Sequence, residues 1–108
     1  MKVVVAFVVL VMLAGVYAET CQVFVNPRRE IKSEYGAVEV AVDACVTLGE
    51  ECQGPAAVRF CTEAGFSNAT AFDGSAECMV TATADHSVCE VRSIARHHCG
   101  CFNFIQCC

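Results

Sequence analysis

The amino-acid sequence predicts a small disulfide-rich α+β domain, with short helices and a small antiparallel β element stapled by up to five disulfides. Three observations lead to this fold class. The chain has 108 residues and ten cysteines. An apolar segment precedes all of the cysteines, and short helix-like and strand-like segments alternate after it. This cysteine density is typical of secreted domains that are too small to be stable through a hydrophobic core alone.

Residues 1–18 have the pattern of a secretory signal peptide. Lys2 supplies a positive charge, Val3 to Val16 form an apolar stretch, and Ala18 is a small residue before the predicted cleavage site. The stretch is shorter than the roughly 20 apolar residues that a membrane-spanning helix needs. We therefore expect residues 19–108 to form one secreted, extracellular cysteine-rich domain that is not inserted in a membrane.

We expect the cysteines to be oxidised in pairs, because a secreted chain meets an oxidising environment. Cys107 and Cys108 are adjacent, and a bond between neighbours would close a strained ring, so two different partners are expected. One of the two could also form a disulfide with a second copy of the chain. The sequence is therefore compatible with a monomer and with a disulfide-linked dimer. The residues predicted to form disulfides are Cys21, Cys45, Cys52, Cys61, Cys78, Cys89, Cys99, Cys101, Cys107 and Cys108.

The net charge argues against several classes of binding partner. The formal net charge is −5 at pH 7, and it becomes more negative when Lys2 leaves with the signal peptide. A nucleic-acid or heparin binder needs a basic patch, and a cationic membrane-disrupting peptide needs a face rich in lysine and arginine. Neither is visible, so we expect no nucleic-acid partner.

The first half of the domain predicts one helix and one longer strand. Asn26-Pro27 has the form of a helix start, and Gly36 would end that helix after Tyr35. A short β-prone run, from Cys21 to Val25, precedes it. In the segment 37–48, valines at every second position favour a strand, although a helix also fits the apolar positions. A turn is expected over residues 49–54.

The second half predicts two helices around a polar loop. Pro55 to Ala64 is helix-like, and Gly65 can close it. The loop from 65 to 75 contains the sequon Asn68-Ala69-Thr70, so Asn68 is a predicted glycosylation site. Residues 78–84 are β-prone. Ser87 and Glu90 have the spacing of a capping box, which predicts a helix over residues 88–98.

No residue cluster predicts a reaction or a cofactor. His97-His98-Cys99-Gly100-Cys101 resembles a set of metal ligands, but oxidised cysteines cannot act as thiolate ligands. Asp85-His86-Ser87 is read as a turn and helix cap, and Glu50-Glu51 as a solvated acidic turn. Residues 73–77 have too few alternating oxygen donors for a calcium loop. We therefore expect a protein that is not an enzyme and has no cofactor or metal.

Phe102, Phe104 and Ile105 are the candidate partner-binding residues. These large apolar side chains lie between Cys101 and the terminal cysteine pair. They either cover a small core or form an exposed anchor, since aromatic residues are enriched at binding hot spots. The sequence leaves both alternatives open.

The order of Cys45, Cys52, Cys61 and the Cys99-Gly-Cys101 motif resembles that of neurotrophin-like and spätzle-like cystine-knot ligands. This resemblance implies the alternative fold, an all-β cystine knot. It also implies the pairs Cys21–Cys61, Cys45–Cys99 and Cys52–Cys101. The likeness covers cysteine spacing only, and the chain lacks tryptophan. Separately, the segment from His97 to Cys107 resembles a short stretch of prokineticin-like proteins, without their N-terminal cysteine pattern.

These observations favour a secreted, toxin-like or cytokine-like binding protein that acts on an extracellular receptor or ion channel. A rigid scaffold lowers the entropic cost of presenting loops to a partner. The alternatives are a protease inhibitor, with Arg59 or Arg92 presented to a trypsin-like enzyme, and a host-defence protein of an extracellular fluid.

Overall fold

The computed structural model describes residues 20–91 and 99–108. The predicted signal peptide, Arg92, His97, His98 and most of the predicted helix 88–98 lie outside these ranges. The described residues form eleven strands and one helix. Their bounds are β1 (Gln22–Val25), β2 (Arg28–Ser33), β3 (Gly36–Val42), β4 (Cys45–Thr47), β5 (Glu50–Cys52), α1 (Gly54–Glu63), β6 (Ala69–Asp73), β7 (Ala76–Cys78), β8 (Val80–Ala82), β9 (Val88–Glu90), β10 (Cys99–Cys101) and β11 (Phe104–Cys107).

The strands form four small sheets. One sheet has the order β1-β11-β6 and is antiparallel throughout. A second has the order β2-β3-β8-β9, in which β3 and β8 are parallel and the other pairs antiparallel. β4 pairs with β5, and β7 pairs with β10. The fold is therefore a small disulfide-rich domain of mostly strands with one described helix, richer in strands than the sequence predicts.

The core lies between α1 and the first of these sheets. Ala57 and Cys61 on the helix and Ile105 and Cys107 on β11 are all fully buried. Phe24 packs edge-on against two aromatic rings, with centroid distances of 5.1 Å to Phe60 and 6.0 Å to Phe66. Small residues on the helix allow this close packing, since alanines occupy two of its buried positions.

Helix α1 confirms the helix predicted over residues 55–64. Pro55 lies in its first turn, where proline is tolerated because the missing N–H has no partner within the helix. Gly65 follows with a φ of +94°, which glycine adopts without steric cost. Of the apolar residues with helical spacing, Ala57 and Cys61 are buried and Phe60 is partly buried, whereas Ala64 is exposed.

All ten cysteines are paired within the chain, which confirms the expected five disulfides and leaves none free. Cys107 and Cys108 do bond different partners, and both partners belong to the same chain. The pairs are Cys21–Cys108, Cys45–Cys52, Cys61–Cys107, Cys78–Cys101 and Cys89–Cys99.

The cystine-knot pairing implied by the resemblance is wrong. Cys45 and Cys52 face each other across the β4–β5 hairpin, with Cα atoms 3.8 Å apart, and bond each other. Cys61 is carried by α1 against β11 and therefore bonds Cys107 rather than Cys21. The alternative fold is wrong as well, because helix α1 packs in the core and the domain is therefore not all-β.

The helix predicted from Asn26-Pro27 is wrong, because these residues connect two strands. Asn26 has a left-handed φ of +49°, and its N–H donates to the carbonyl of Asn103 at 2.8 Å. It ends β1 and turns the chain into β2. For residues 37–48 the predicted strand is confirmed and the helix alternative is wrong. The segment forms β3 and β4, which are separated by Asp43 and Ala44.

The helix predicted to begin at Val88 is wrong over its first turn. Val88–Glu90 form β9, which pairs with β8. Ser87 does not cap a helix: its N–H donates to the hydroxyl of Thr83 at 3.0 Å and closes the turn between the two strands. The predicted polar loop also contains strand β6, and the turn over residues 49–54 contains β5.

Candidate partner-binding site

The hairpin arm, residues 28–42, consists of β2, β3 and the turn between them. The six cross-strand pairs run from Arg28↔Ala41 at the base to Ser33↔Gly36 at the tip. β3 pairs with β8 only at Ala41 and Val42. Within the described part of the chain, the arm beyond its base therefore has no further strand paired with it. The middle of β2, residues 30–32, shares a cleft with His86 and Val88.

The tip of the arm is a two-residue turn that local contacts hold in place. Gly36 has a φ of +111°, a backbone conformation that other residues rarely adopt. The hydroxyl of Ser33 donates to the carbonyl of Gly36 at 2.9 Å and accepts from the N–H of Tyr35 at 3.2 Å. Tyr35 lies at this turn and is 95% exposed. Its ring is thus presented to solvent on a fixed backbone.

The two faces of the arm differ in chemistry. Ile31 and Val38 are directly opposite each other, so they lie on one face, where Val38 is 45% exposed. Strand alternation places Glu30 and Glu39, which are also paired, on the other face. The arm therefore combines an apolar face, a charged face and an aromatic tip.

The base of the arm is anchored to helix α1. The Arg29 guanidinium donates to a carboxylate oxygen of Glu63 at 2.5 Å, and the Arg29 side chain is only 9% exposed. Arg59, one helical turn before Glu63, donates to the other carboxylate oxygen at 3.1 Å. Val42, 1% exposed, joins the core at the end of β3. Both strands are thus fixed at the base while the tip stays exposed.

The three residues predicted from sequence to bind a partner lie at different depths. Phe102 is 3% exposed and Ile105 is fully buried, so both contribute to the core. Phe104 is half-buried. The exposed Tyr35 lies on the arm instead, and the sequence does not predict the arm because Asn26-Pro27 and Gly36 have the residue types of a helix start and a helix end. In β2 only Ile31 interrupts a run of charged residues, so the signal that could have revealed the hairpin is Gly36 directly before the alternating valines of β3.

The predicted glycosylation site lies at the start of β6. Asn68 is exposed, and its backbone N–H donates to the carbonyl of Cys108 at 3.0 Å. The carbonyl of Asn68 in turn accepts from the N–H of Cys108 at 2.9 Å. The side chain of Thr70, the third residue of the sequon, is also exposed. The sequon is therefore accessible on a backbone that is tied to the C-terminus.

Two turns are organised by aspartates. The hydroxyl of Ser75 donates to Asp73 at 2.6 Å, and the backbone N–H of Ser75 and the amide of Asn103 also donate to it. These hydrogen bonds, led by the Ser75 hydroxyl, lower the pKa of Asp73. The hydroxyl of Thr83 and then the N–H of Ser87 lower the pKa of Asp85 in the same way. These hydrogen bonds close two turns, so the role of both carboxylates is structural.

Among residues 20–91 and 99–108, no group of three or more histidine, cysteine or acidic side chains is placed to hold a metal ion. Glu50 and Glu51 lie on the exposed strand β5. No described helix is long and apolar enough to cross a membrane.

Comparison of the chain with protein-family models, with curated proteins and with solved structures gives no match.

Proposed function

We propose that the protein is a secreted binding protein, toxin-like or cytokine-like, which uses the hairpin arm to engage an extracellular receptor or ion channel. The observation that carries the proposal is the presentation of Tyr35, 95% exposed, at the tip of the β2–β3 hairpin. Five disulfides are typical of extracellular proteins, which supports this location.

Physical considerations favour the arm as a binding element. Tyrosine offers a large, rigid contact area with a hydrogen-bonding hydroxyl at low entropic cost, and it is enriched at binding hot spots. The opposed Ile31 and Val38 add an apolar surface next to it. Because the turn is already ordered in the free protein, little conformational entropy is lost when a partner binds.

The experiment is a competition assay on cultured cells that bind the labelled protein. Labelled protein is bound to the cells, and unlabelled variants compete. Tyr35→Ala should weaken competition by about tenfold or more, since loss of a hot-spot side chain typically costs about 2 kcal/mol. Thr62→Ala, on the exposed side of α1, is the matched control and should compete like the wild type.

Two outcomes would contradict the proposal. Equal competition by Tyr35→Ala and Thr62→Ala would remove the arm from the binding site. An absence of saturable binding, together with stoichiometric inhibition of a trypsin-like protease, would favour the inhibitor alternative. Against that alternative, Arg59 lies within a helix and is paired with Glu63, whereas an inhibitor presents its arginine on a braced loop. We propose no catalytic role and no cofactor.

Asn68 is proposed to carry an N-linked glycan. The sequon is exposed at the start of β6 and lies outside the arm, so a glycan there leaves the proposed binding element free. Protein expressed in eukaryotic cells should lose mass on enzymatic removal of N-glycans, and Asn68→Gln should abolish that loss. An unchanged mass after treatment of the wild type would contradict the assignment.

A further inference from the structure

Among residues 20–91 and 99–108, no strand pairs with the outer edge of β1 and no backbone hydrogen bond reaches it. In an antiparallel pair, successive residues point their N–H and C=O groups alternately toward and away from the partner strand. Asn26 donates its N–H to Asn103, at the end of the β1–β11 pair. Phe24 and Gln22 therefore also direct their backbone groups toward β11. Val23 and Val25 direct theirs outward, to the edge of the sheet.

The side chains at this edge are apolar and exposed. Val23 is 53% exposed and Val25 is 70% exposed. Exposed apolar edge strands are templates for pairing with another chain, and soluble proteins usually protect them with charges. The two edge strands of the four-stranded sheet follow that rule, since β2 carries Arg28, Glu30 and Lys32 and β9 carries Glu90. β1 carries no charge.

The other two strands of this sheet also carry little charge. Its neighbour β11, Phe104–Cys107, has no ionisable side chain, and the far strand β6 has only Asp73, at its end. In a chain with a net charge of −5, this sheet is a surface on which two copies can approach without facing each other's carboxylates. The far edge, β6, lies beside α1 and the sequon, so β1 is the accessible edge of this sheet among the described strands.

We propose that β1 binds β1 of a second copy of this chain, antiparallel about a two-fold axis at Phe24. In this register, Val23 faces Val25 of the second copy, and Val25 faces its Val23. Each facing pair exchanges two backbone hydrogen bonds, so all of the outward N–H and C=O groups of both strands are satisfied. The two three-stranded sheets then become one six-stranded sheet. A contact through so short a strand gives a weak, concentration-dependent dimer.

The first test measures association of the protein recovered from eukaryotic cells expressing the full chain. Sedimentation and amide hydrogen exchange are compared at about 10 µM and about 1 mM, a range that covers weak complexes. We expect the sedimentation coefficient to rise. We also expect exchange at the Val23 and Val25 amides to slow by about tenfold or more, while the Phe24 amide, which already faces β11, changes little.

The second test checks the register with paired substitutions. V23K/V25K places lysine opposite lysine in the two-fold pair and should abolish the dimer. V23E/V25K places glutamate opposite lysine twice and should form a dimer at least as well as the wild type. V58K, on the exposed face of α1, replaces a valine that is 38% exposed and should leave association unchanged. Retention of the native disulfides shows that each variant is folded.

Several results would overturn the proposal. One is a monomer at the highest concentration with unprotected Val23 and Val25 amides. Another is protection of these amides at every concentration, because another part of the same chain then covers the edge. Equal loss of dimer in V23K/V25K and V23E/V25K would exclude this register. Because the arm is not involved, Tyr35→Ala should associate normally, so failure here is distinct from failure of the proposed function.

Discussion

At the scale of single residues, buried polar side chains are used to fix backbone turns. Asp43 is 5% exposed, yet both of its carboxylate oxygens are satisfied. One accepts from the N–H of Cys45 at 2.9 Å, and the other accepts from the hydroxyl of Thr81, which is fully buried. A buried carboxylate is tolerated only with such partners. This pair therefore ties the end of β3 to β8.

Thr81→Val should destabilise the protein by about 1–3 kcal/mol, because it leaves a buried carboxylate oxygen without a donor while keeping the side-chain shape. Denaturant unfolding measures the change. The control is Thr62→Val, which removes a hydroxyl that bonds the Val58 carbonyl on an exposed helix face; it should cost about 0.5 kcal/mol or less. Equal costs for the two variants would contradict the role given to Asp43.

Acid should weaken the fold through Asp73. Its folded pKa is lowered by Ser75 and Asn103, so the stability that it contributes is fully present above its unfolded pKa of about 3.9. That stability is lost as the pH falls below this value through the lower folded pKa. The free energy of unfolding, measured from pH 6 downward, should fall less steeply below about pH 4 in Asp73→Asn. Identical acid dependence of variant and wild type would contradict this.

At the scale of elements, local signals predicted α1 but not the hairpin arm. Proline in the first turn, apolar residues recurring every three to four positions and a closing glycine are all contained within residues 54–65. The arm depends on contacts distant in sequence, above all Arg29 with Glu63, which are 34 residues apart. Asn26-Pro27 has the residue types of a helix start, and only the pairing of Asn26 with Asn103 shows that it is a turn.

Gly36→Ala should destabilise the arm by about 1–2 kcal/mol, the cost of a side chain in a left-handed conformation. A Cβ on Gly36 meets no atom within 4 Å, so the cost is conformational and not a collision. Amide exchange of β2 and β3 should become faster than in the wild type. D-alanine at position 36, introduced by chemical synthesis, has the same side chain but permits positive φ and should restore slow exchange. Equal exchange for both alanines would contradict the turn conformation.

At the scale of the whole molecule, the disulfides connect elements that the core alone holds weakly. Cys61–Cys107 joins α1 to β11, Cys78–Cys101 joins β7 to β10, and Cys89–Cys99 joins β9 to β10. The sequence predicts that the cysteines form disulfides, but it does not predict which cysteine bonds which. The pairs depend on how α1 packs and on the order of the strands in the sheets. The spacing of the cysteines along the chain gives no information on either.

The bonds should contribute unequally to stability. Cys45–Cys52 spans 7 residues and Cys61–Cys107 spans 46. A longer loop restricts the unfolded chain more, so replacing the short bond by serines should cost about 2 kcal/mol and replacing the long one by alanines about 4 kcal/mol or more. Cys61 and Cys107 are also fully buried, which adds the cost of a cavity. Thermal unfolding of the two variants compares them, and a smaller loss for the long bond would contradict this ranking.

The most direct test of the fold is the disulfide map of the native, unreduced protein. Mass spectrometry with fragmentation of both disulfide and backbone bonds can separate Cys107 from Cys108 and Cys99 from Cys101. The structure predicts that Cys21 bonds Cys108, Cys61 bonds Cys107, and Cys45 bonds Cys52. Finding Cys45–Cys99 together with Cys52–Cys101 would contradict it, because these bonds require a cystine knot in place of the packing that anchors the arm.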